Sequence, residues 1–129
     1  MKHLAIILIC ATLAFFSACG GSSNTIQSVQ VNPPQGQGTA PGGAVGFIAN
    51  GTFQQGQSRL LTSEDGLSWS SSNTTVATIN SLTGQAICQS GGVTTITGAV
   101  PSDLQFGPSG HTSSNTVKGT ASLTCLPAG

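Results

Sequence analysis

The sequence predicts an all-β domain, a sandwich or barrel of antiparallel strands, carried behind an export signal. Past residue 25 the apolar residues fall in short alternating runs rich in β-branched side chains, such as Val29-Gln30-Val31 and Val76-Ala77-Thr78-Ile79. Turn-forming residues punctuate these runs about every ten residues, the spacing of short strands in a sandwich. No segment beyond the N-terminal one carries a helical period.

Residues 1–19 read MKHLAIILICATLAFFSAC. Lys2 supplies a basic start, Leu4–Phe16 an apolar stretch, and Ser17-Ala18 a pair of small residues. This pattern predicts a helical signal peptide over residues 1–18. The stretch is shorter than the ~20 apolar residues of a membrane-spanning helix. Phe16-Ser17-Ala18-Cys19 resembles the lipobox of bacterial lipoproteins, departing from it at Phe16, where leucine is usual. The resemblance implies cleavage before Cys19 and attachment of a diacylglycerol to its thiol, with a further acyl chain on the new amine. Two or more chains anchor durably, at ~0.8 kcal/mol per buried CH₂. Gly20, and not aspartate, follows the cysteine, which in a two-membrane bacterium favours the outer membrane. Residues 19–25, glycine- and serine-rich, read as a flexible tether.

The folded domain is expected over residues 26–126. Ile26–Val31 is a strand with Val29 and Val31 on one face, ended by Pro33-Pro34, which cannot extend a central ladder. Gln35–Gly43 reads as a Gly/Pro/Gln loop. Ala44–Ala49 alternates as a strand, and Asn50-Gly51 reads as a turn. Thr52-Phe53 is a short pairing segment, Arg59–Thr62 a further strand, and Asp65-Gly66 a turn. Leu67–Ser70 holds the single tryptophan, Trp69. Val76–Ile79 and Gln85–Gln89 are strands separated by a Thr83-Gly84 turn. Val93–Val100 follows Gly91-Gly92. Pro101–Asn115 is a long loop. Thr116–Cys125 closes the domain, with Val117, Ala121, Leu123 and Cys125 on one face by period two. The expected core is Val45, Phe47, Trp69, Val76 or Ile79, Ile96 and Leu123.

Composition excludes some functions. Charged residues make up 5% of the chain and the formal net charge is zero. Lys2, Arg59 and Lys118 cannot build the basic surface that nucleic-acid binding requires, so no nucleic acid is expected as a partner. Of the four cysteines, Cys10 leaves with the signal peptide and Cys19 takes the lipid. Cys88 and Cys125 remain, an even pair in an oxidising compartment, and a disulfide is the expected outcome. It would close a loop of roughly 38 residues, which the chain-entropy model values at about 4 kcal/mol.

The segment Gly66-Leu67-Ser68-Trp69-Ser70-Ser71-Ser72-Asn73-Thr74-Thr75-Val76-Ala77-Thr78-Ile79 resembles the bacterial immunoglobulin-like domain of group 2 (BIG2), with its Trp-Ser-Ser-Ser-Asn bend followed by Val-Ala-Thr-Ile. Thr83–Ile87 and Gly92–Thr97 are similar to later parts of that pattern. Ile26–Pro33 is similar to its opening, and Ala49–Phe53 to the exit of its second strand. The resemblance runs from about Ile26 to Val100. It implies an immunoglobulin-like sandwich with Greek-key topology, and an extracytoplasmic module that binds or spaces. Cys88 and Cys125 lie outside the family pattern.

No reactive constellation accompanies this fold. The mature chain has one histidine, His111, in Pro-Ser-Gly-His-Thr, and no nucleophile-elbow sequence. Glu64 and Asp65 are adjacent, so along a strand or turn they point apart, and they are too few for a calcium site. Asn50-Gly51-Thr52 and Asn73-Thr74-Thr75 fit a glycosylation triplet, but read better as turns. Gly91-Gly92 precedes no helix and is no phosphate cradle. No enzyme, cofactor or metal site is therefore expected. The expected function is a lipid-anchored envelope module for protein interaction, adhesion or spacing, with a carbohydrate-binding accessory as the alternative. For the latter, stacking aromatics are scarce, and Phe106 in the long loop is the candidate ligand contact.

Overall fold

In the computed structural model, residues 25–54, 56–103 and 115–129 are described. The expected signal peptide and the anchor at Cys19 lie outside the described residues, as do Phe106 and His111.

Ten strands build a two-layer all-β sandwich: β1 (Ile26–Asn32), β2 (Gln35–Thr39), β3 (Ala44–Gly46), β4 (Ile48–Phe53), β5 (Ser58–Leu61), β6 (Ser68–Ser71), β7 (Ala77–Ile79), β8 (Gln85–Cys88), β9 (Gly92–Pro101) and β10 (Thr116–Leu126). One layer is a four-stranded sheet in the order β2-β10-β9-β6. The other is two three-stranded pieces, β1-β4-β5 and β3-β8-β7. Its pieces are joined through β3 and β4, one strand interrupted at Phe47. The chain changes layer from β1 to β2, β2 to β3, β5 to β6, β6 to β7 and β8 to β9, so that β6 pairs with β9 and β8 with β3, the crossed connections of an immunoglobulin-like Greek key.

The first crossing corrects one expectation. Gln35–Gly43 is not all loop, because β2 pairs along β10 from Gln35↔Ser122 to Thr39↔Leu126. This pairing is parallel, in an otherwise antiparallel sandwich. The chain leaves β1 at Pro33-Pro34, changes layer and keeps its direction, and β10 runs the same way. Glycine is what lets β2 lie there. A Cβ at Gly36 would fall 2.9 Å from the Phe47 ring and from Val45, and one at Gly38 would fall 2.9 Å from the Cys88 sulfur.

A second correction concerns Asn50-Gly51. The pair sits inside β4, opposite Gln30 and Val29 on one side and Leu60 and Arg59 on the other. Leu61 crosses directly over Gly51, where an added Cβ would meet its side chain at 3.0–3.2 Å. Glycine here makes room and does not turn the chain.

Between the layers the core gathers Ile26, Val31, Phe47, Trp69, Val76, Ile96, Val100 and Leu123, all buried. Val45 and Ile79 are only partly buried against it. Phe53 is buried as well. Cys88 of β8 and Cys125 of β10 are joined by a disulfide, with Cα atoms 5.6 Å apart. The bond links the two layers from inside, both sulfur-bearing residues being almost fully shielded.

The Trp-Ser-Ser-Ser-Asn segment owes its bend to a single buried hydroxyl. Thr94 on β9 is 2% exposed. Its Oγ1 accepts the Asn73 N–H at 3.0 Å and shares hydrogen bonds with the Ser71 and Ser72 hydroxyls at 2.9 and 3.1 Å. Ser72 Oγ in turn accepts the Thr95 N–H at 2.9 Å. Asn73 Oδ1 then accepts the Thr75 N–H, turning the chain towards β7.

Candidate functional site

Two features stand apart from the core: an ion pair on the β5 side of the domain, and an apolar groove beside it. The ion pair comes from local geometry. After β5 a single 3₁₀ turn, Ser63–Asp65, reverses the chain and ends at Gly66 with φ 84°, the left-handed value that glycine adopts freely. The turn folds Asp65 inward, 4% exposed, while Glu64 stays at the surface. The Arg59 guanidinium donates to both Asp65 oxygens, at 2.9 and 2.8 Å, and the Thr62 N–H donates to Oδ2 at 2.9 Å. Arg59 also lies 5.2 Å from the Phe53 ring centre. The Arg59 hydrogen bonds, helped by Thr62, hold the Asp65 carboxyl below the usual carboxylate range against the opposite push of burial. The Arg59 pKa is raised in return, chiefly by the same hydrogen bonds. Asp65 is thus committed to structure. The two adjacent acids point apart, one in and one out.

The groove, of about 220 Å³, opens where β5 ends and β8 begins, alongside the β3–β4 interruption. Phe47, Leu67 and Trp69 lie at its base, and Ile48, Leu60 and Leu82 form its rim. These three rim residues are 52%, 49% and 65% exposed, unusual for large aliphatics in so polar a domain. Ile48 and Leu60 stand on the outer faces of neighbouring strands, Leu60 being opposite Asn50 in the β4–β5 register.

Leu82 is held out by a stapled turn. Asn80 Oδ1 accepts the Leu82 and Thr83 N–H groups at 2.9 and 3.1 Å. The Trp69 N–H donates to Ser81 O at 3.0 Å, and the Phe47 N–H to Gly84 O at 2.9 Å. Gly84, at φ 75°, lies so close to the Trp69 indole that a Cβ would fall 2.9 Å from it. The turn is therefore tied to both layers, and the backbone that carries its exposed leucine is held in place.

Among the described residues no cluster of three or more His, Cys, Asp or Glu is arranged to hold a metal ion. Every buried side-chain polar atom there has a hydrogen-bond partner. No helix among them is long and apolar enough to cross a membrane. Of the sequence-predicted site residues, Cys88 and Cys125 meet in the core, while Cys19 and Phe106 lie outside the described residues. The aromatics that are described, Phe47, Phe53 and Trp69, are all buried and offer no stacking face. Sequence reasoning missed the groove. The one signal for it was Leu82, a large aliphatic in the otherwise polar turn Asn80-Ser81-Leu82-Thr83-Gly84.

The chain matches no protein-family model and no curated protein.

Proposed function

We propose that the chain is a non-catalytic, lipid-anchored module of a bacterial cell envelope, with a BIG2-type sandwich that works by contact with another protein. The observation that carries the contact reading is the rim of Ile48, Leu60 and Leu82. Three exposed aliphatics converge on one groove, and one of them sits on a turn stapled to both layers. A fixed apolar surface of this kind serves recognition, since ordinary surface turns are polar. The BIG2 reading is supported by the crossed strand order and by the Thr94 hydroxyl, which accounts for the family-like Ser-Ser-Asn bend. The anchor reading rests on Phe16-Ser17-Ala18-Cys19 after an apolar stretch. Lipid on Cys19 would hold the domain at the membrane, with the outer membrane as the favoured location, and residues 20–25 as the spacer.

Expression of the full chain in a two-membrane bacterium tests the proposal. Intact-mass measurement of the membrane fraction should find a mature chain beginning at Cys19 and carrying diacylglycerol, and Cys19→Ser should move the protein to the soluble fraction. A photo-crosslinker at position 82 should give discrete protein adducts, and one at position 37 should not. An unmodified N-terminus would overturn the anchor. Equal, diffuse labelling from both positions would overturn the contact surface.

A further inference from the structure

The groove is bordered by a strand edge with outward-facing backbone N–H groups, and the two together define the kind of partner it fits. Strand β5 is the last strand of its sheet among the described residues. Its alternation is fixed by the Phe53 N–H donating to Gln57 O at 2.8 Å. Counting along the register, Arg59 and Leu61 direct their backbone groups to β4, while Ser58 and Leu60 direct theirs away from it. Two contacts agree with this phase. The Ser58 and Thr52 hydroxyls meet at 3.1 Å, as side chains do in the close pairs that lack backbone bonds, and the Leu60 carbonyl is open enough to accept Arg59 Nη1 at 3.2 Å. The Ser58 and Leu60 N–H groups therefore face outward, side by side with an apolar rim to which Leu60 itself contributes.

We propose that β5 and the groove form a strand-addition site for an extended polypeptide segment of the partner, whose backbone pairs with Ser58 and Leu60 and whose apolar side chain enters between Leu60 and Leu82. This rests on the contact reading above and names its partner chemistry. The occupant is an extended peptide because the site supplies the two things such a peptide needs, backbone donors at strand spacing and an apolar pocket beside them. An acyl chain would use the groove and leave the donors unmatched. A second copy docked on the rim alone would bury three side chains, far short of the ~800 Å² per partner of a stable interface. The segment would be uncharged at the groove, whose lining carries no ionisable side chain.

The test uses the disulfide-intact mature chain and a displayed library of ten-residue peptides. Enriched peptides should share one aliphatic residue flanked by uncharged ones. Bound to the labelled protein, the best of them should slow amide hydrogen exchange at Ser58 and Leu60 by about tenfold or more, as for other paired strand amides. Leu82→Ser, at an exposed turn, should weaken binding by about tenfold or more. Ser58→Pro removes an outward donor at the first residue of an edge strand, where proline is tolerated, and should weaken it too. Val93→Thr, exposed on the other layer, should bind as wild type. Retained melting temperature in each variant separates lost binding from lost fold. A peptide that binds without slowing the Ser58 and Leu60 amides, one that binds Leu82→Ser equally well, or a library with no enrichment would each overturn the proposal. The lipid on Cys19 is read separately by mass, so an unlipidated chain that still adds a strand sinks only the anchor, and a lipidated chain that adds none sinks only this site.

Discussion

Replacing Thr94 by valine keeps the shape of a buried side chain and deletes the hydroxyl on which the bend after β6 depends. The wild-type hydroxyl makes three hydrogen bonds, to the Asn73 N–H and to the Ser71 and Ser72 hydroxyls. Each is worth about 1 kcal/mol net, and a buried donor left unmatched costs about 1–3 kcal/mol. Ser72 is exposed and its hydroxyl can turn to water, whereas the Asn73 N–H keeps only a 3.4 Å contact to Ser71 Oγ. The expected loss is therefore about 2 kcal/mol, set mainly by the Asn73 donor. For a domain near 100 residues that lowers the melting temperature by about 8–16 °C. Urea unfolding followed by Trp69 fluorescence, with the disulfide intact, measures it cleanly, because Trp69 is the chain's one tryptophan. The slope should stay unchanged, since the same surface is exposed on unfolding. Thr94→Ser is the control. It keeps the hydroxyl and loses a methyl group, at about 1 kcal/mol. A valine variant more stable than the serine variant would show that packing, and not the hydroxyl, holds the bend, and the reasoning would fail.

Three other outcomes follow from the same structure. Asp65 is held ionised below its unfolded pKa, so its stabilising effect is full above about pH 4, the unfolded carboxylate value, and is lost as pH falls through the lower folded value; Asp65→Asn should flatten the acid limb of a stability-against-pH curve, and an unchanged limb would count against the Arg59 pairing. Replacing Cys88 and Cys125 together by alanine should cost about 4 kcal/mol by the loop-entropy model, read from urea midpoints; a loss under about 1 kcal/mol would mean the unfolded chain is little constrained by the bond. Gly51→Ala should destabilise by about 1–3 kcal/mol because Leu61 occupies the space. Gly46→Ala, with nothing within 4 Å of its Cβ, should be neutral or stabilising by up to about 1 kcal/mol; thermal melts that rank the two the other way would refute the packing account.

The parts of the fold legible in the sequence are those where one residue's side chain decides its place. Val29 and Val31, Ile96 and Leu123 alternate with polar neighbours, and the alternation alone puts them inside. Trp69 had nowhere else to go. The misreadings share a cause. Gly36, Gly38 and Gly51 look like loop or turn residues because nothing in their own neighbourhood explains them. The explanation lies across the sandwich, in the Phe47 ring, the Cys88 sulfur and the Leu61 side chain that crowd their α-carbons. A glycine chosen for space and one chosen for a turn are the same letter, and only the partner element tells them apart.

The groove was hidden for a related reason. Ile48, Leu60 and Leu82 come from three separate elements, and in sequence each passes for an ordinary strand or turn residue. Leu60 falls in the run Leu60-Leu61, where alternation alone could place it on either face. Pairing fixes which. Once Ala49 faces the core opposite Leu61, Ile48 and Leu60 must both face out. The same register sends the Leu60 backbone away from β4. Exposure of the leucine side chain and exposure of its N–H are thus one consequence of one strand phase, which is why an apolar rim and an unpaired strand edge coincide here. A mutation that shifted β5 by a single residue would bury Leu60, turn its backbone towards β4 and hand both the outward side chain and the outward N–H to Leu61.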